Sequence, residues 1–142
     1  VVYEDTEFII MVVGGPNFRK DYHVNEGEEF FYQLEGNMIL RTRKGGQPKD
    51  IKINEGEIFL LSPKVPHSPQ RFENTVGLVV ERKRINNELD GFQWYCDDCN
   101  ALIYETFIPL TDIVKQLPPI FDSFWKNENA RTCPKCGEKL KK

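Results

Sequence analysis

Between residues 3 and 84 the chain is written in short apolar or alternating runs, among them FIIMVV, EEFFYQL, MILRTR, IKI, EIFLL and GLVVERKR. The separators GGPN, EGN, KGGQPKD, NEG and FENTVG carry the glycine, proline, asparagine and aspartate chemistry that reverses a strand. Runs rich in Val, Ile, Phe and Tyr at a spacing of roughly 8 to 12 residues close into an antiparallel barrel or sandwich, because each strand has one face to bury. No stretch of helical period interrupts them. The spacing therefore predicts a mainly β unit over residues 1–90.

The chain has 142 residues, more than one small barrel needs. Past residue 88 the composition shifts, with LDGFQWYCDDCNALIYETF followed by LTDIVKQLPPIFDSFWKNENARTCPKCGEKLKK. A small extension over residues 91–142 is expected, with Thr111 capping a short helix that Pro118 and Pro119 end. Charged residues at 29% and apolar residues at 39% fit a folded globular chain rather than a disordered one. The net charge of -3 gives no global attraction to nucleic acid or an anionic membrane. No apolar run approaches the ~20 residues of a bilayer span. The start shows no signal-peptide pattern, although it reads Val-Val rather than Met, so a preceding segment is expected. A cytoplasmic protein is the resulting expectation.

Only two histidines occur, His23 and His67. His23 stands six residues before Glu29, an even spacing that lets both face one interior if the segment between them is a strand or a hairpin bend. His67 follows the apolar run EIFLL and the proline-stiffened turn SPKVPH. Two imidazoles and a carboxylate on a β scaffold form the open three-ligand set of non-haem ferrous oxygenases, with zinc or manganese chemically allowed. Arg19 and Arg71 each lie four residues from a histidine, and two guanidiniums suit a planar carboxylate. Glu81 sits in the apolar run GLVVERKR, where a part-buried carboxylate would accept from a hydroxyl or amine and act as a base. Spacing alone leaves Arg19, Arg71 and Glu81 equally readable as solvated surface charges.

The segment HVNEGEEFFYQLEG resembles the first cupin motif, H-x-H-x(3,4)-E-x(6)-G, with His23, Glu29 and Gly36 in place and Asn25 where the second histidine usually stands. GEIFLLSPKVPH resembles the second, keeping the eleven-residue offset from Gly56 to His67, with Pro63 one place late and Val65 replacing a glycine. Together with VVGGPNFRKDYH, VVERKR and DGFQWYCDDC, these segments resemble the 3-hydroxyanthranilate 3,4-dioxygenase family in its single-cupin form with a carboxyl-terminal cysteine site. The resemblance implies an antiparallel cupin (jelly-roll) barrel with a small metal-knuckle extension. It implies Fe(II) on His23, Glu29 and His67, a substrate carboxylate on Arg19 and Arg71, and Glu81 on the ring's amino or hydroxyl group. The implied reaction joins a small aromatic amino-carboxylate with O2 and gives 2-amino-3-carboxymuconate semialdehyde, the precursor of quinolinate in NAD biosynthesis from the kynurenine pathway. In that family, residues before Val1 cover the pocket. An exposed barrel sheet and family habit also suggest a homodimer.

Cys96 and Cys99, with Cys133 and Cys136, form two C-x2-C pairs, a strong pattern for a tetrahedral sulfur site holding zinc or a single iron. The intervening segment is longer than the ~15 to 20 residues of common zinc patterns. CPKCG resembles a rubredoxin knuckle, and Gly137 and Asn100 follow the knuckles where positive φ is often required. A structural staple is favoured over electron transfer, because a metal supplies folding free energy to a tail too small to fold alone. Alternatives are another small-molecule cupin oxygenase or isomerase, or a non-enzymatic cupin binding module. Two arginines near the ligands disfavour a neutral sugar, and DDC beside the knuckle is unlike a base-stacking, basic stripe.

Overall fold

The computed structural model describes Val1–Tyr3 and Asp5–Lys142. The strands are β1 (Phe8–Gly14), β2 (Asp21–Val24), β3 (Glu29–Glu35), β4 (Met38–Lys44), β5 (Gln47–Ile53), β6 (Ile58–Leu61), β7 (His67–Arg71), β8 (Val76–Arg82), β9 (Asp90–Tyr95) and β10 (Leu102–Ile108). Helices α1 (Ile113–Lys126) and α2 (Glu128–Arg131) follow. All pairings between these strands are antiparallel, in a four-stranded sheet ordered β1-β8-β3-β6 and a six-stranded sheet ordered β10-β9-β2-β7-β4-β5. The mainly β antiparallel architecture read from the sequence is therefore the one that forms.

Alternation explains which side chains meet inside. On β3, Glu29, Phe31 and Gln33 are buried, and on β8 so are Gly77, Val79 and Glu81. Phe31, Val79 and Leu61 pack with Met38, Leu40 and Ile53 from the opposite sheet into the barrel core. The reverse face of the four-stranded sheet is also apolar. One row crosses it as Ile10, Val80, Phe30 and Leu60, and a second as Val12, Leu78, Tyr32 and Ile58.

A second core joins the extension to the barrel. Phe92 and Trp94 of β9, both fully buried, pack against Phe124 and Leu140, with the Trp94 and Phe124 rings stacked at 4.1 Å. Because β9 pairs with β2, residues beyond 90 continue the sheet that carries His23. Helix α1 departs from expectation. Asp112, not Thr111, is its cap, accepting from the Lys115 N–H at 3.1 Å, and the helix runs through Pro118 and Pro119 to Lys126. The two prolines withhold donors from the carbonyls of Val114 and Lys115, which lie on exposed residues where water can satisfy them. Burial of Phe124 with the half-buried Phe121 and Trp125 then holds the later turns.

Candidate active site

His23 on β2 and His67 on β7 are direct register partners in the six-stranded sheet. Glu29 opens β3 in the other sheet. The even spacing of six is thus not what brings His23 and Glu29 together. The chain crosses from one sheet to the other between them, and the two residues face each other across the interior.

One ligand-type atom from each of His23, Glu29 and His67 lies within 4.8 Å of the other two. His67 Nδ1 is 2.9 Å from the Val65 carbonyl, which places its proton there and turns Nε2 toward Glu29 Oε2 at 2.5 Å. His23 Nε2 lies 2.6 Å from Asp90 Oδ2, which places that proton on Nε2 and leaves Nδ1 facing Glu29 at 3.7 Å. Three lone-pair atoms therefore converge while their donors are engaged elsewhere, and Glu29 Oε2 is buried without a hydrogen-bond donor of its own among the described residues. A cation satisfies this arrangement; without one, a proton shared by His67 and Glu29 does so. Burial acts to lower His67, but the Glu29 carboxylate outweighs it and the net shift is upward. Burial likewise acts to raise Glu29, and His67 overcomes it to hold the carboxyl well below its usual range. His23 is lowered, chiefly by burial, and stays neutral as a ligand must. Asn25 is buried nearby, but its amide is engaged: Oδ1 accepts from Gly27 N–H at 3.0 Å and Nδ2 approaches Glu81 Oε2 at 3.5 Å.

Arg71 is 4% exposed, on the face of β7 that carries His67, and forms no ion pair among the described residues. Its one side-chain partner among the described residues is the neutral Gln33 Oε1 at 3.5 Å. Burial, with Arg19 nearby, pulls this guanidinium down to about 10. Arg19 precedes β2 and is already paired, with Nε at 2.9 Å from Asp21 Oδ2, and its guanidinium lies 5.1 Å from the Phe121 ring centre. It borders a cleft of about 570 Å³ whose walls include Phe18, Gln70, Phe121 and Trp125. Glu81 is 3% exposed and is the cross-strand partner of Glu29. Burial and the Glu29 charge push it up to about 8.

Sequence reasoning missed the residues behind the ligands. Asp90, 1% exposed, meets both His23 and Arg84, and Phe92 stacks on the His23 ring at 5.2 Å and 12°. A signal was present: in DGFQWY the residues Asp90, Phe92 and Trp94 share one face, so an aspartate stands in a buried register.

The four cysteine sulfurs also lie within 4.8 Å of one another. Cys96 to Cys136 and Cys99 to Cys133 are each 3.6 Å, too long for a disulfide and close to the ~3.8 Å edge of a tetrahedron of thiolates about a metal. Asn100 and Gly137 both adopt positive φ after their knuckles, as the sequence predicts. Backbone donors at Cys136 and Lys135 bring the Cys133 thiol down to about 6. The knuckle is tied to β2 as well, since Lys20 donates to Asp97 at 2.7 Å and to the Lys141 carbonyl at 2.6 Å. Among the described residues no helix is long and apolar enough to cross a membrane.

Fold and site together define an antiparallel β-barrel protein with a His-Glu-His centre between its sheets and a separate four-cysteine centre on its extension. The family model described as 3-hydroxyanthranilic acid dioxygenase matches residues 1–125. A 3-hydroxyanthranilate 3,4-dioxygenase of Xanthomonas euvesicatoria pv. vesicatoria is 56% identical over 130 residues, covering 92% of this chain and 74% of the relative. One of Jannaschia sp. is 51% identical over 139 residues, covering 97% and 77%. The chain belongs to the 3-hydroxyanthranilic acid dioxygenase family. Among solved structures, a cupin-2 domain protein from Shewanella frigidimarina aligns at a TM-score of 0.44 with 21% identity, over 58% of this chain and 76% of that one. The hydroxypropylphosphonic acid epoxidase of S. wedmorenis aligns at 0.43 with 20% identity, over 54% and 43%.

Proposed function

We propose that this chain opens the ring of 3-hydroxyanthranilate with O2. Both oxygen atoms enter between the hydroxyl-bearing carbon and its unsubstituted neighbour, giving 2-amino-3-carboxymuconate semialdehyde, the precursor of quinolinate in NAD biosynthesis. The observation that carries this reading is the convergence of three lone pairs from His23, Glu29 and His67 in an interior that also holds Arg71, a buried cation without an anionic partner among the described residues.

His23, Glu29 and His67 would hold Fe(II), the metal that suits two imidazoles and one carboxylate with positions left open. Bound there, the ion supplies a Lewis acid for the substrate hydroxyl and the redox chemistry that O2 requires. Arg71 binds the substrate carboxylate, its planar fork matching both oxygens in a dry site where charge-assisted bonds are strong. Arg19, steadied by Asp21, supplies the second cationic contact at the cleft. A cation held by Glu29 would offset the charge that keeps Glu81 protonated, so that Glu81 ionises and takes the hydroxyl proton at Oε2, the oxygen not engaged by Arg84. Phe31, Leu40 and Phe92 keep bulk water from the interior.

The cysteine centre is proposed to hold zinc or one iron as a staple for residues 91–142. Ring opening balances electrons between substrate and O2, so it demands no external donor. Unbridged thiols fit the reducing cytoplasm, where the protein is proposed to act. The apolar outer face of the four-stranded sheet, with Ile58 65%, Leu60 57% and Val12 54% exposed, supports a homodimer through that face.

The test of the activity is anaerobic loading with Fe(II), then addition of 3-hydroxyanthranilate and air, following O2 uptake and the absorbance of the semialdehyde together. Equal consumption of O2 and formation of product is expected. A folded, iron-loaded protein that takes up no O2 refutes the proposal.

A further inference from the structure

We propose that Arg84 is a positioning residue of the barrel centre, one guanidinium that fixes His23 through Asp90 and fixes Glu81 directly. The inference rests on the reading of His23 as a ligand and of Glu81 as the proton acceptor.

Arg84 lies just beyond β8, and its side chain, 8% exposed, reaches back between the two sheets. Nε donates to Asp90 Oδ1 at 2.7 Å and Nη2 bonds Asp90 Oδ2, so the carboxylate is gripped by two parallel bonds. That same Oδ2 accepts from His23 Nε2 at 2.6 Å. The imidazole has one ring face on Phe92 and one nitrogen committed to a carboxylate that cannot turn, which leaves Nδ1 aimed at Glu29. Nη1 holds Glu81 Oε1 and leaves Oε2, which Asn25 Nδ2 approaches at 3.5 Å, on the interior side. Glu81 is the register partner of Glu29, so a single cation spans the carboxylates standing behind ligands from both sheets. Lysine, a point charge on a flexible stem, cannot make the two-bond grip on Asp90 and reach Glu81 together.

A residue that only filled space would change stability without changing the ligand set. The full chain, with its cysteine centre first filled by Zn(II), is therefore loaded with Co(II), whose visible absorption then reports the geometry of the barrel centre, as wild type, Arg84→Lys, Arg84→Gln and the reference variant His67→Ala. Thermal melting is recorded alongside. Arg84→Gln is expected to weaken Co(II) binding about 10-fold to 100-fold and to alter the visible bands. In Fe(II)-loaded protein kcat is expected to fall by more than KM rises, since Arg71 and Arg19 are untouched. Arg84→Lys keeps the charge and guards against loss of fold in the glutamine variant; it is expected to show altered bands at a melting temperature near wild type. Bands and affinity equal to wild type in Arg84→Lys, whatever its melting temperature, overturn the proposal. Wild-type Co(II) bands that survive His67→Ala would instead overturn the ligand assignment, and the role of Arg84 with it.

Discussion

Glu29 and Glu81 are register partners across β3 and β8, both buried, yet they are driven in opposite directions. His67 holds Glu29 ionised against the effect of burial, and burial together with the Glu29 charge pushes Glu81 up to about 8. Two carboxyls this close in a dry interior separate into one charged and one protonated member.

Metal-free protein should show this in its stability. Glu81 binds its proton more tightly folded than unfolded, so its contribution is complete below the ordinary value of 4.5 and is lost as pH rises through about 8. Glu81→Gln is neutral throughout and should flatten the decline in melting temperature across that window. Parallel pH curves for the two proteins would mean that Glu81 is ionised in the fold.

Gly77 offers a way to disturb Arg71 without touching it. A Cβ there would lie 2.4 Å from Arg71 Nη1 and 2.8 Å from Gln33 Oε1, both ends of side chains that can move. Gly77→Ala is expected to fold, displace the guanidinium and raise KM for 3-hydroxyanthranilate about ten-fold, the size of one charge-assisted hydrogen bond. Arg71→Ala should do the same or more, and an unchanged KM in Arg71→Ala removes it from the substrate site.

Metal counting separates the two centres. His67→Ala should lose the barrel ion and retain the cysteine-bound one, and Cys133→Ala the reverse, as read by elemental analysis of purified protein. Cys133→Ala should also melt at a lower temperature, with turnover kept in the folded fraction. Loss of turnover in a stable, iron-loaded Cys133→Ala protein would give the cysteine centre a part in the chemistry.

Phe124 is the anchor of α1, 1% exposed and stacked on Trp94. Phe124→Ala is expected to cost about 3–5 kcal/mol, measured by denaturant titration. A loss below about 1 kcal/mol would show that α1 is held by something other than this ring stack.

The strands made of apolar alternation were legible, because burial wrote them as β1, β3, β4, the IKI end of β5, β6 and β8. The two strands that carry both histidines were not. β2 is DYHV and β7 is HSPQR, polar and proline-bearing sequences in which site residues occupy the positions a core would fill with Val or Ile. His23, Glu29 and His67 were singled out through motif resemblance, and of the two ways in which spacing could bring the first two to one interior, a continuous strand does not occur, because the chain turns and changes sheets between them. Asp90 was legible only as a buried register in DGFQWY, and nothing in the sequence tied Arg84 to it, since the two meet across the connection that carries the chain from the four-stranded to the six-stranded sheet. Helix α1 was cut short on paper by its prolines, a local cost that the aromatic contacts of Phe121, Phe124 and Trp125 outweigh.

Strand β9 ends one residue before Cys96 and begins at Asp90, the partner of His23, while pairing along its length with β2. The cysteine extension is therefore no detachable module for an engineer seeking a minimal catalyst. Cutting at residue 90 would leave β2 as an open edge, ready to recruit a strand from another molecule, and would strip the Phe92 ring from a candidate metal ligand. A shortened enzyme would need a replacement strand before it needed a replacement metal.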